Sequence, residues 1–555
     1  MNLSTSVALG LSLLAVSTPV LAEVKVPAIF SDNMVLQRNV PMPIWGTARP
    51  GEEVKVTAGP RNATTTADAS GAWRVTLDPL DAGNAIAVVI AGSNTITLKN
   101  VVVGEVWICS GQSNMEWSVA AVNNAQAEID SANDPDLRTF TVARAVANKP
   151  TPDCTGSWQE TSPANVKSFS AVGYFFAKQL RQDLKVPIGM ISTSVGGTPV
   201  ESWISGKSLG AIPEGQSIQK MWESSLAESK GKQADFEKAL AAWEKEYETA
   251  KLEAEQLRAD AESGKVTDAK PDVDTDLDDK PATKPVVTRD LPALLASKPK
   301  APEQLENNPW APSGLYNGMI SPVVPYGIRG AVWYQGESNA GRAYEYRTLM
   351  PMLISDWRRA WGQGDFPFIM VQLANFTEAK TQPEESEWAE LREAQSMATQ
   401  SLPNVGIATA IDIGDAADIH PRNKQEVGRR LGLQALTIAY VRKDVIASGP
   451  VYQKFVTEAD SIRIDFVPSD SALVAKDGGQ LVGFQIAGED RKWVWADATV
   501  EGKSVVVKSA SIKKPVAVRY AWANNPPVSL YNEAGLPALP FRTDDWPGMT
   551  VGKRR

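Results

Sequence analysis

Two hydrophobic rhythms alternate along this 555-residue chain. From about residue 24 to 100 the apolar runs are short: MPIWGTA, EEVKVTA, AWRVTLDPL and AIAVVIAG. Turn-forming stretches ARPG, GPRN, DASG and AGSN separate them. That spacing of strands and turns predicts a small β-sandwich. After VVVGEVWIC the rhythm lengthens. Buried-strand runs VWIC, VPIGMIST, IRGAVWY, PFIMVQLA and NVGIATAI each precede a helical stretch, beginning with one near Ala120 to Ala132. The helices include AVGYFFAKQLRQDL, AYEYRTLMPMLISDWRRAW, SEWAELREAQSMATQ and NKQEVGRRLGLQALTIAY, the last with Val427, Leu431 and Ala435 on one face. Continuous apolar strands alternating with helices predict a parallel five-stranded sheet covered on both faces, a three-layer α/β domain.

Two regions break the alternation. Residues 208–308 begin as a charged helical stretch, readable as a helical hairpin. They end in the acidic, Pro-rich TDAKPDVDTDLDDKPATKPVV, which reads as a loop. After about Asp444 short β runs return. The expected organisation is therefore an N-terminal β unit at 23–100, an α/β domain at 101–207 and 309–443 split by the insertion, and a C-terminal β unit at 444–555. The first 22 residues carry an apolar run from Val7 to Val16, then Pro19 and Val20-Leu21-Ala22. They read as a signal peptide cleaved after Ala22, with export to the periplasm or beyond and no membrane anchor.

Charge changes the picture only by exclusion. A net charge of −9 argues against a nucleic-acid partner, which needs a basic face. Nothing points to an obligate protein partner or a cofactor. Cys109 and Cys154 are the only cysteines and His420 the only histidine, too few soft ligands for a zinc site. Export permits a disulfide, yet Cys109 closes an apolar run and reads equally well as a buried thiol.

Ligands of an open parallel sheet bind beyond the carboxyl ends of its strands. Those ends carry Ser110-Gly111-Gln112-Ser113-Asn114-Met115, then Ser194-Val195-Gly196-Gly197-Thr198, then Gln335-Gly336-Glu337-Ser338-Asn339, then a segment with Asp412, Asp415, Asp418 and His420. A serine esterase needs a nucleophile, a base, a group that orients the base and donors for the oxyanion. Ser113, in a Gly-containing turn after a strand, fits the nucleophile, although a serine there also serves as a helix cap. His420 is the base if any imidazole is. Asp418 lies two residues before it, on the same side of an extended segment. Asp415 or a backbone carbonyl could substitute, and Asp418 could instead cap the following turn. The oxyanion donors would be the amide of Ser113, an amide from Gly196 or Gly197, and a side-chain amide from Gln335 or Asn339. Gln112, Trp117 and Glu337 are candidates for touching substrate, with Glu337 alternatively a buried partner of a backbone turn. Trp117, Trp203, Trp333, Tyr334 and Tyr344 could stack on a sugar, most of them more readily as core.

With these residues in place, the chain resembles the SGNH/GDSL hydrolase superfamily, and within it the sialate O-acetylesterase-like carbohydrate esterases. The matching stretches are IFSDNMVLQR, GEVWICSGQSNMEW, FSAVGYFFAKQL, VPIGMISTSVGGTPVESWIS, PSGLYNGMISPVVPYGIRGAVWYQGESNA and DIGDAADIHPRNKQEVGRRL. The resemblance implies a flavodoxin-like catalytic sheet, Ser113 as nucleophile, His420 as base, no metal, and deacetylation of O-acetylated sugars. The superfamily's usual acid lies three residues before the histidine. That position is Ala417 here, with Asp418 one residue nearer, which leaves a working dyad open. Related enzymes with an insertion between the second and third motifs act on plant polysaccharides such as xylan or xyloglucan, so sialic acid is not the automatic substrate. Two other readings remain at this point: a carbohydrate-binding protein without turnover, and an esterase or thioesterase for acyl chains.

Overall fold

The computed structural model describes residues 23–263, 290–302, 304–467 and 470–554. The stretch read as a signal peptide and the whole Pro-rich segment, residues 267–287, lie outside them. The protein is of mixed α/β type, with one large mixed sheet and smaller antiparallel sheets.

In the N-terminal strands Glu53–Ala58 and Ala72–Leu77, side chains alternate between buried and exposed, so each strand offers one face to the core. The strand Thr95–Gly111 starts there, antiparallel to Gly83–Ala91. It runs through residue 100 without a break, and its second half lies between Ile188–Ser192 and Gly330–Tyr334, parallel to both. One strand thus welds the first β unit to the α/β sheet. At the joint, buried Glu105 holds Arg38 at 2.6 Å and Arg329 at 2.9 Å.

Across the sheet the order is Val405–Thr409, Phe368–Gln372, Gly330–Tyr334, Thr95–Gly111, Ile188–Ser192, Asp134–Thr141, Trp158–Thr161. The five runs expected from the sequence take the spatial order 2-1-3-4-5, all parallel. Asp134–Thr141 adds a sixth parallel strand that the hydrophobic pattern did not reveal, and Trp158–Thr161 closes the edge antiparallel. Helices cover both faces. Trp107 and Cys109 point to the helix Ala171–Leu184, where Trp107 meets Phe176 edge-on and Cys109 lies beside Gly173. Trp333, paired in register with Ser110 and so of opposite parity, points to Trp357 on the helix Ala343–Trp361. Ala171–Leu184 approaches Lys424–Ile438 so closely that a Cβ on Gly428 would sit 2.4 Å from the Phe175 Cβ.

The charged first part of the insertion is one uninterrupted helix, Pro213–Glu262, rather than a helical hairpin. Polar on nearly every face, it gains little from packing. The short helix Leu291–Ala296 returns along it, where Trp243 Nε1 donates to the Leu294 carbonyl at 2.8 Å. The C-terminal strands form three antiparallel sheets, two of four strands and one of two, around their own core of Ile462, Ile464, Phe484, Ile486, Val505 and Tyr520. This unit is anchored by fully buried Arg392, which donates to the Ala523 and Asn524 carbonyls, and by Glu390, which accepts from Thr550. Cys109 and Cys154 are both free thiols.

Candidate active site

The nucleophile turn is shaped by a close approach. Gly111 has φ +141°, and a Cβ there would lie 2.1 Å from the Tyr334 carbonyl oxygen. Only glycine lets the two strands meet at this point. The Gln112 amide then donates to that same carbonyl at 2.9 Å. Gln112 is buried, and its Oε1 accepts from the amides of Gly336 and Ser338. Its side chain therefore braces the third motif. The short helix Ser113–Glu116 starts immediately afterwards. As its first residue, Ser113 has an amide with no intrahelical acceptor.

His420 Nε2 lies 2.8 Å from Ser113 Oγ. Its ring stacks on Trp117, with centroids 4.8 Å apart and planes 13° apart. The Trp117 indole is itself fixed by donating to the Ala121 carbonyl. Asp418 Oδ1 accepts from the His420 backbone amide at 2.8 Å and sits 3.6 Å from Nδ1. One carboxylate thus both caps the turn and faces the ring. Burial pushes the imidazole below its ordinary value, the Asp418 carboxylate pulls it back, and the Lys424 ammonium depresses it further. Asp415 instead accepts from Ala417 in its own exposed turn, and Asp412 pairs with Arg430 at 2.6 Å.

Gly196 lies against the nucleophile: a Cβ on it would be 3.3 Å from the Ser113 Cβ. Its amide donates to Glu116 Oε2 at 2.6 Å. Both N–H groups of Gln335 are engaged, with the Thr198 carbonyl and Asn339 Oδ1. Asn339 accepts from the Val200 amide and gives one N–H to Glu201. Glu337 Oε1 accepts from Asn114 at 2.7 Å, while its buried Oε2 has no hydrogen-bond partner among the described residues. Burial holds this carboxyl above its usual range. Trp203, Trp333 and Tyr334 are core, whereas Tyr344 is exposed and lies under Arg347. Among the described residues no group of three His, Cys, Asp or Glu could hold a metal ion.

Three residues at the site escaped the sequence reading: Asn114, Glu116 and Lys424. Asn114 and Glu116 flank the nucleophile, and that adjacency was the available signal. Lys424 had none, because a lysine at the start of a helix reads as solvated.

A serine hydroxyl within hydrogen-bond reach of an imidazole whose pKa burial lowers, at the carboxyl edge of a parallel sheet, is the geometry of a serine hydrolase. Known proteins narrow that class. Residues 103–243 and 300–437 match the family described as carbohydrate esterase, sialic acid-specific acetylesterase. The chain belongs to this family and is a carbohydrate esterase. The crystal structure of a carbohydrate acetylesterase from Xanthomonas citri is 33% identical, with TM-score 0.75, over 94% of this chain and all of that one. The sialate O-acetylesterase of Mus musculus is 29% identical over 93% of each chain, and that of Homo sapiens 27% over 93% and 92%.

Proposed function

We propose that the protein hydrolyses acetyl esters on sugars through an acetyl-Ser113 intermediate, with His420 as general base and then general acid. The observation that carries this reading is the 2.8 Å contact between the chain's only histidine and Ser113 Oγ. Ser113 Oγ attacks the acetyl carbonyl carbon while its proton passes to His420 Nε2. The tetrahedral oxyanion is held by the amides of Ser113 and Gly196 once Glu116 withdraws. The N–H that Asn339 does not give to Glu201 is a third donor, and Gln335 steadies Asn339. Collapse expels the sugar alkoxide, which takes the proton from His420. Water, deprotonated by His420, then attacks the acetyl-serine, and collapse releases acetate while Ser113 Oγ takes the proton back from His420.

The substrate class is an O-acetylated plant oligosaccharide, from xylan or xyloglucan, or O-acetylated sialic acid. Glu116, on the Gly196 amide that lies against Ser113, puts one carboxylate beside the serine, and Asp418, facing the other ring nitrogen of His420, puts a second behind the imidazole. That rim favours a neutral sugar over one carrying its own carboxylate, and Trp117 is the aromatic surface nearest the ester. We read the α/β sheet as the flavodoxin-like sheet of the SGNH hydrolases. Residues 1–22 we read as an export signal, a point N-terminal sequencing of periplasmic protein decides.

Acetate release from acetylated xylan, xyloglucan oligosaccharides and O-acetyl sialic acid, by wild type beside Ser113→Ala, tests the reading. Loss of about three orders of magnitude or more is expected in the variant. Undiminished release by Ser113→Ala rejects the mechanism, and a higher kcat/KM on the sialate rejects the preference for neutral sugars.

A further inference from the structure

Behind the Ser113–His420 pair lies a cation that the reaction above does not use. Lys424, first residue of the helix Lys424–Ile438, is fully buried. Its Nζ donates to Asn114 Oδ1 at 2.5 Å and lies 5.4 Å from the centroid of the Tyr334 ring. Asn114 Nδ2 donates in two directions, to Glu337 Oε1 at 2.7 Å and to the Ile419 carbonyl at 3.0 Å. Asn114 follows the nucleophile in sequence, and Ile419 precedes the base. One buried amide therefore ties together the turn carrying Ser113, the loop after the third strand, and the loop carrying His420.

That tie depends on which way the amide faces. An asparagine side chain is nearly symmetric in shape, and its two ends differ only in donating or accepting. Turned over, Asn114 would present its oxygen to the Ile419 carbonyl and the Glu337 carboxyl, and its bonds to the base loop and to the third-strand loop would both be lost. An ammonium group can only donate. Lys424 beside the oxygen therefore forbids the turned-over state, because an N–H there would face a cation.

We propose that Lys424 is a positioning residue of the esterase: by donating to Asn114 it fixes the one amide orientation that holds the His420 loop against Ser113. The proposal rests on the serine-hydrolase reading and assigns part of its geometry to a residue that touches neither substrate nor Ser113. The charged and titratable groups facing Lys424 are Glu337 from the third-strand loop and Asp418 and His420 from the base loop, with the Tyr334 ring from the strand end. Burial draws the ammonium down to about 7, with Glu337 and Asp418 opposing that fall. The cation in turn helps keep His420 neutral.

The experiment uses the full chain, an activated acetyl ester such as 4-nitrophenyl acetate, and pH profiles of kcat and kcat/KM. Lys424→Met removes donor and charge together. It should lower kcat about 30-fold with KM within about twofold, since loss of reacting-group alignment falls on turnover. Lys424→Gln removes the charge and keeps an N–H for Asn114 Oδ1, but its own oxygen also admits the turned-over amide, so kcat should fall between Lys424→Met and wild type. Both variants lose a cation near the imidazole, so the acid limb of kcat/KM should move to higher pH in each. Wild-type kcat in Lys424→Met, or a Lys424→Gln as slow as Lys424→Met, overturns the proposal. If Lys424→Met does not fold, Asn114→Asp serves in its place. It keeps an acceptor for Lys424 and loses the donor to Ile419, so a wild-type kcat in that variant also overturns the proposal. Ser113→Ala run alongside separates the two readings. Full activity there removes the hydrolase mechanism itself, whereas an inactive Ser113→Ala beside an unimpaired Lys424→Met removes only the positioning role.

Discussion

Ser113 and His420 arrive at one contact by opposite routes. The serine is placed by backbone. Its strand is hydrogen-bonded on both sides, Gly111 meets the Tyr334 carbonyl, and Gln112 is locked to the next loop through its amide and side chain. The histidine is placed by side chains. It sits on a loop, its side chain 26% exposed, between the Trp117 ring, the Asp418 carboxylate and the Asn114 amide beneath Ile419. A nucleophile built this way is as firm as the fold. A base built this way can be weakened or retuned while the fold stands.

The sharpest way to break that contrast is Gly111→Ala. Its Cβ would fall 2.1 Å from the Tyr334 oxygen, so the strands must part at the centre of the sheet. Loss of about 3 kcal/mol or more is expected, read as a lower urea midpoint together with loss of activity. A stable, active Gly111→Ala would mean that the nucleophile is not held by this approach.

On the base side activity should change without unfolding. Asp418→Ala should lower kcat about tenfold, because ring orientation and imidazolium stabilisation weaken together. Asp418 raises the His420 pKa, so its removal should move the acid limb of kcat/KM to lower pH. Trp117→Ala should lower kcat about fivefold and move that limb the other way, since exposing the ring removes the burial that depresses it. Shifts of the same sign in the two variants would disprove this division of roles. In the wild type, the acid limb of kcat/KM should lie below the ordinary imidazole value. The smallest effect belongs to Glu116→Gln. It loosens the carboxylate from the Gly196 amide and should raise kcat about twofold, measured as acetate release at saturating substrate.

Much of this was readable in advance, for definite reasons. The runs giving Ile188–Ser192, Gly330–Tyr334, Phe368–Gln372 and Val405–Thr409 are apolar nearly to their ends because parallel strands are buried on both faces. The helix Ala171–Leu184 matches its predicted stretch end for end. Asp134–Thr141 was missed because DPDLRTFT opens with polar residues, although Leu137 to Phe140 are buried. The insertion was read as a hairpin because charge patterning shows helical character but not whether a turn interrupts it. At the site, Gln112 and Glu337 were legible as nearby residues, but nothing local showed that Gln112 braces a loop and that Glu337 accepts from Asn114.

The chain by itself determined the alternation of five apolar runs with helices, the motifs at four strand ends, and which residue is the base if any imidazole is, because one histidine admits no rival. Those are matters of composition and periodicity, which local sequence carries. Tertiary structure alone decided that Asp418 faces His420 from 3.6 Å while capping its turn, that Glu116 sits on the Gly196 amide, and that Lys424 is buried behind the pair. Each of these depends on a partner from a segment whose nearness appears only after folding, or on burial that no neighbouring residue announces. Hydrogen bonds and desolvation act over a few ångströms in space, whatever the distance along the chain.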